Sequence, residues 1–152
     1  MTKLQVGDAE IGVLARLLRK VEFFSPLTVG QIEQILPYVL LYSYSAGEKV
    51  FKQGEMGDAF YIVYSGTVDV SLKKGFFSLG KNVATLKAGD FFGEIALISR
   101  EPRNATVTCA EPAQLFALVA SDFQLVLKEN PKASAEMQRI AERRKFDTSH
   151  QK

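Results

Sequence analysis

Histidine and cysteine are nearly absent: the chain has one of each, His150 and Cys109. A single imidazole in a polar terminal stretch excludes a histidine-rich metal centre. No serine–histidine or cysteine–histidine nucleophile pair can be assembled around it either. The sequence therefore predicts no enzyme and no catalytic cofactor. One thiol cannot form an internal disulfide, which fits a reducing compartment and a cytoplasmic protein. There is no run of about 18 apolar residues, so no transmembrane segment is expected. The opening stretch from Met1 to Asp8 lacks the apolar core of a secretory signal. A dominant charge is missing too: the net +2 is too small to make nucleic acid or a membrane surface the main partner. What is present is globular in character, with 47% hydrophobic and 24% charged residues in a chain of 152. That supplies core enough for one domain, and 1–152 is read as one.

The chain reads as helices, then strands, then helices. Asp8 is a candidate cap for a first helix with Ile11, Leu14, Leu17, Leu18 and Val21 at helical spacing. Thr28-Val29-Gly30-Gln31 has capping-box spacing for a short second helix, with Ile32, Ile35 and Leu36 on its apolar side and Pro37 at its end. These make up the N-terminal helices, 1–37. Over 38–120 the character changes to short β-rich runs at 38–44, 48–52, 58–64, 67–73, 79–86, 105–110 and 113–119, many of them bounded by glycine turns. In 67–73, Val68, Val70 and Leu72 alternate with Thr67, Asp69 and Ser71, as a half-buried strand requires. An antiparallel sandwich or jelly roll is expected. Phe76 and Phe77, beside the Lys74-Gly75 turn, are expected to fold back on it, and Cys109, alternating with Val107, to lie in its core. Helix returns over 121–146. Ser121-Asp122-Phe123-Gln124 has the spacing of a second capping box, and Asn130-Pro131 is a break with Pro131 opening the last helix. Ala133, Met137, Ile140 and Ala141 form that helix's apolar stripe, and 147–152 is expected to be a frayed tail.

The stretch that carries chemistry is 89–107: Gly89-Asp90-Phe91-Phe92-Gly93-Glu94-Ile95-Ala96-Leu97-Ile98-Ser99-Arg100-Glu101-Pro102-Arg103-Asn104-Ala105-Thr106-Val107. Gly93 permits a tight turn and a close approach of ligand to backbone. Residues 94–99 predict a short helix whose first amides have no internal partner and can hold an anion. Pro102 stops that helix and delivers Arg103 to the start of the next strand, where a guanidinium can pair bidentately with a phosphate. Glu94 beside a phosphate would be repulsive unless it bound a donor. A 3′,5′-cyclic nucleotide supplies one: cyclisation leaves the ribose 2′-OH free, and a carboxylate only accepts.

Gly93-Glu94-Ile95-Ala96-Leu97, followed by Pro102-Arg103-Asn104-Ala105-Thr106, resembles the phosphate-binding cassette of the cyclic-nucleotide-binding domain family. That family includes regulatory subunits of protein kinase A, catabolite activator proteins and the tails of cyclic-nucleotide-gated channels. Gly47, Phe51, Gly54-Glu55, Asp58-Ala59-Phe60-Tyr61-Ile62-Val63 and Gly66 resemble the family's early strands. The resemblance covers 10–146 and is strongest over 47–107. It implies a mainly β fold: an antiparallel β-roll of about eight strands, with N-terminal helices, an internal cassette helix and a C-terminal lid helix. Glu94 would accept from the ribose 2′-OH and Arg103 would pair with the cyclic phosphate. The amides of Ile95, Ala96 and Ala105 would hold phosphate oxygens beside Gly93. Val70 and Val83 would lie beneath sugar and base. From the lid, Arg139, Arg143 or Arg144 would cap the purine by a cation–π contact. Asn104 stands where the family often reads the base. Threonine or serine there resembles cGMP-preferring members, and alanine the kinase-type cAMP sites. Asparagine departs from both, and because it can donate and accept it can also meet guanine. The expected ligand is cAMP, with cGMP the alternative.

A metal-dependent cupin would share the roll but needs clustered histidines. A transcription factor of the catabolite-activator type needs a helix-turn-helix after the lid. The 22 residues from Pro131 read as one helix and a tail, so direct DNA binding is not expected. The standing alternative is a protein-interaction module that keeps the fold without a ligand; the Glu94 and Arg103 pair argues against it. A cyclic dinucleotide is a lesser option. Beyond the nucleotide, the expected partner is an effector, either a separate protein or a fused domain.

Overall fold

The computed structural model describes residues 1–74 and 80–150, and only the backbone of 144–150. In chain order the elements are β1 (Thr2–Leu4), α1 (Asp8–Lys20), a 3-10 turn (Glu22–Phe24), α2 (Val29–Ile35), a second 3-10 turn (Leu36–Tyr38), β2 (Leu40–Tyr44), β3 (Lys49–Phe51), β4 (Ala59–Ser65), β5 (Val68–Leu72), β6 (Lys81–Leu86), β7 (Phe91–Phe92), a third 3-10 turn (Glu94–Leu97), β8 (Thr106–Cys109), β9 (Ala113–Val119), α3 (Ala120–Lys128) and α4 (Pro131–His150). The strands form two antiparallel sheets, ordered β1-β2-β9-β4-β7 and β3-β8-β5-β6. This is the expected mainly β roll with flanking helices, with nine strands among the described residues where about eight were expected. The two unanticipated strands, β1 and β7, span three and two residues, too few to show a period.

The roll is closed by one sheet with two apolar faces. In β4, Phe60 and Ile62 join a core with Leu14, Leu18, Phe23, Phe24, Ile35, Phe123 and Met137 from the helices. Their neighbour Val63 points the other way, into a second core between the sheets with Val68, Phe92, Val107, Cys109 and Leu115. β9 does the same with Phe116 and Leu118 against Leu115. Strands buried on both faces read as continuous apolar runs, and 58–64 and 113–119 have that character. Cys109 and Val107 lie in the inner core as expected, and burial pushes the Cys109 thiol up to about 11.

Element ends differ from expectation in three places. Asp8 is the first residue of α1, not its cap; Gly7 stands there without a side-chain bond, and Asp8 instead places its charge against the positive end of the helix. The second capping box does not form, because α3 begins earlier, at Ala120, and Gln124 donates to the Leu97 carbonyl instead. α4 continues to His150 through the stretch expected to be a tail, since no glycine or proline follows Pro131 to stop it. The box at Thr28 does form: Thr28 Oγ1 accepts from the Gln31 amide and Gln31 Oε1 from the Thr28 amide. Gly75, Phe76, Phe77 and Leu79 lie outside the described residues.

Candidate functional site

The site begins as a backbone clamp. After β3 the chain turns at 52–57 and runs antiparallel to the end of the cassette. The Arg103 amide donates to the Glu55 carbonyl at 2.6 Å, the Gly54 amide to the Arg103 carbonyl at 2.8 Å, and the Gly57 amide to the Glu101 carbonyl at 2.9 Å. Met56 and Pro102 face each other in an isolated bridge. Arg103 is thus held on both sides of its own peptide before its side chain makes any contact.

The guanidinium folds inward and is only 8% exposed. Its Nη2 donates to the Ala59 carbonyl at 2.8 Å and lies 3.7 Å from Asp58 Oδ1. Its Cζ lies over the Phe51 ring, 4.0 Å from the centroid. Nη1 rests against two glycines: a Cβ at Gly93 would lie 2.8 Å from it, and one at Gly57 3.4 Å. Gly93 also has φ +82, a conformation that side chains with a Cβ resist. Burial depresses the Arg103 pKa, with Tyr61, Asp58 and Glu55 opposing that shift. The facing carboxylate, Asp58, is itself largely exposed and so is a weak counter-charge. Nε is buried with no hydrogen-bond partner. A buried cation with an unused donor is costly alone and is relieved by an anion.

The cassette helix expected over 94–99 is a tighter 3-10 turn, Glu94–Leu97, entered through left-handed Gly93. The Ala96 amide, expected to be free for a ligand, instead donates to the Gly93 carbonyl at 3.2 Å, because the 3-10 turn closes one residue sooner than an α-helix, and the Ile98 amide donates to the Ile95 carbonyl at 3.1 Å. Such i to i+3 closure holds short turns. Glu94 and Ile95 are half-buried at the start of the turn, Ala96 and Ala105 are buried, and Asn104 is exposed beside Arg103. Val70 packs partly buried against the inner core and pairs with Val107. Val83 is 56% exposed and sits at a register shift, where Val70 pairs with Ala84 and Ser71 with Asn82. The fold brings the Arg103 side chain against Gly93 at the entry of the Glu94–Leu97 turn and sets Val83 on an exposed strand.

α4 packs beside this turn. Ile95, Ile98 and Ser99 face Gln138, Ala141 and Glu142 across a pocket of about 220 Å³. Arg139 and Arg143 are exposed and do not line it, and Arg139 pairs with Glu136 on its own helix. The Arg144 side chain lies outside the described residues. Sequence reasoning noted Phe51, Asp58 and Ala59 only as part of the early-strand pattern, without a role. Gly57 was read only as the turn glycine before the 58–64 strand, without a role beside Arg103.

Together these features define a β-roll domain with a buried arginine set against a glycine-entered turn. Residues 41–130 match the family described as the cyclic nucleotide-binding domain, and the chain belongs to that family. It is 40% identical over 136 residues to a cGMP-dependent protein kinase of Eimeria tenella, covering 85% of this chain and 13% of the kinase. It is 47% identical over 81 residues to a cAMP-dependent protein kinase regulatory subunit of Yarrowia lipolytica, covering 53% of this chain and 20% of the subunit. The chain therefore spans a small part of these relatives. A cyclic nucleotide-binding domain from Methylobacillus flagellatus shares the fold, with TM-score 0.77 at 18% identity over 99% of this chain and 85% of that one. Among the described residues no cluster of histidine, cysteine and carboxylate side chains could hold a metal ion, and no helix is long and apolar enough to cross a membrane.

Proposed function

We propose that this chain is a cytoplasmic cyclic-nucleotide sensor, with cAMP as ligand and cGMP as the alternative, that regulates an effector and catalyses nothing itself. The observation that carries this reading is Arg103: a buried guanidinium at the cassette turn with one N–H unpartnered. The naming of its relatives as cAMP- and cGMP-dependent kinase proteins supports the ligand class. Arg103 would take the cyclic phosphate together with the first amides of the Glu94–Leu97 turn and the amide of Ala105. Glu94 would take the ribose 2′-OH. Val70 and Val83 would lie under sugar and base, with Asn104 beside the base. For Arg139 to cap the purine it would first leave Glu136; Arg143 has the simpler path.

Signal output would pass through α4. The helix shares a pocket with the cassette turn, so a ligand that reshapes the turn changes the surface on which α4 rests. At the break between α3 and α4, Asn130 accepts a short hydrogen bond from Gln31 of α2. A shift at that break is therefore felt by the N-terminal helices.

The test is calorimetric titration with cAMP and with cGMP, on protein whose ultraviolet absorbance shows no retained nucleotide. One-site binding near −8 kcal/mol, roughly micromolar, is expected. Arg103→Ala is expected to cost about 2–5 kcal/mol of binding, because a phosphate charge loses its partner. Glu94→Ala should lose less and should cease to distinguish cAMP from its 2′-deoxy form. An Arg103→Ala protein that binds at full strength refutes the assignment. No heat with either nucleotide leaves the interaction module as the function.

A further inference from the structure

A guanidinium has two kinds of surface. Its edges carry N–H donors and bind anions, while its faces carry diffuse positive charge and rest on aromatic rings. Arg103 uses them separately. Nη2 is tied to the Ala59 carbonyl, and Nε is buried without a partner. Its Cζ lies over the ring of Phe51. Phe51 is braced by contacts other than Arg103. It is the last residue of β3, pairs with Val107 of β8, and lies 5.8 Å from the Phe92 ring and 6.0 Å from the Tyr61 ring. Those two rings stack on each other at 5.2 Å. The shelf beneath the guanidinium is thus fixed by strand pairing and by an aromatic cluster inside the roll.

We propose that Phe51 is a positioning residue of the anion site: its ring holds the Arg103 guanidinium where it lies, so that the donor left without a partner, Nε, is in place when the cyclic phosphate enters. The proposal rests on Arg103 being the phosphate ligand. An aliphatic residue at 51 would keep the apolar packing but offers no negative ring face. The guanidinium would then be free to tilt toward Asp58, whose carboxylate lies 3.7 Å from Nη2.

The experiment titrates folded protein with whichever of cAMP and cGMP binds wild type more tightly. Urea midpoints establish that each variant is folded. Phe51→Leu is expected to weaken binding between about threefold and thirtyfold, and Phe51→Tyr to stay within about twofold. A trifluorinated phenylalanine at position 51 keeps the ring's shape and removes the negative charge of its face; it is expected to lose affinity as leucine does. In an Arg103→Ala background, read by nuclear magnetic resonance at millimolar ligand, Phe51→Leu should change nothing further. Full affinity in Phe51→Leu, or an equal loss when Arg103 is absent, overturns the proposal. A wild type that binds neither nucleotide fails the functional reading and this proposal together. A wild type that binds, with Phe51→Leu binding equally well, fails this proposal alone.

Discussion

Gly93 concentrates two constraints in one position. Its φ of +82 lies where an L side chain is strained, and a Cβ there would meet Arg103 Nη1 at 2.8 Å and the Ala59 carbonyl at 3.2 Å. Gly93→Ala should therefore lower stability by about 1–3 kcal/mol. It should also weaken nucleotide binding more than tenfold, because the guanidinium must move. Gly66 is the matched control. Its φ is +83, and a Cβ would meet the Pro112 carbonyl at 2.5 Å and Ala113 at 2.8 Å, whereas one at Gly93 meets Arg103. Gly66→Ala should destabilise the fold while leaving the affinity of the folded protein unchanged. Urea denaturation and titration of the two variants check this, and a Gly93→Ala protein with wild-type affinity would show that Arg103 does not need the glycine.

Among the elements, α2 shows how a seven-residue helix is held at its start. Thr28 and Gln31 satisfy each other's amides, and the same Gln31 side chain donates to Asn130 at the junction of α3 and α4. Thr28→Ala removes one cap bond and should cost about 1 kcal/mol in urea denaturation. Gln31→Ala removes the other cap bond and the tether, and should cost about 2 kcal/mol. Equal losses would mean that the tether contributes nothing to stability. The 3-10 turn at Glu94–Leu97 was harder to anticipate than α2. Four residues carry no helical period, and its form follows from Gly93 before it and from Gln124 bonding the Leu97 carbonyl from α3.

Across the whole molecule, the N-terminal turn, the roll and the C-terminal helices share one aromatic cluster. Phe24 lies 5.3 Å from Phe60 of β4 and 5.7 Å from Phe123 of α3, and Phe23 lies 6.5 Å from Phe123. Phe123 is fully buried and touches both neighbours from the N-terminal segment. Phe123→Ala should cost about 3–5 kcal/mol through the cavity it leaves. Because that core spans both helical segments and the sheet, unfolding is expected to stay a single transition followed by fluorescence and far-ultraviolet dichroism. Separate midpoints would show that the helices and the roll are independently stable. The same arrangement ties α4 to both places, since Met137 and Ile140 enter this core while Ala141 also borders the pocket at the cassette turn.

The sequence alone determined what is local. The Thr28 box, the break at Asn130-Pro131, the alternation of 67–73 and the residue types of the cassette each depend on neighbours within a few positions, so their physics is complete in a short window. It also placed Gly93, Glu94 and Arg103 in one short loop, because their spacing is itself the motif. Only the tertiary structure decided how Arg103 is used. Its partners Ala59 and Phe51 lie far back in the chain, the former 44 residues away, and its burial exists only once the 52–57 turn pairs with 101–103. The strands β1 and β7 were settled the same way. Two or three residues gain β form from a partner strand and not from their own preference, and which edge is available is a property of the assembled sheet.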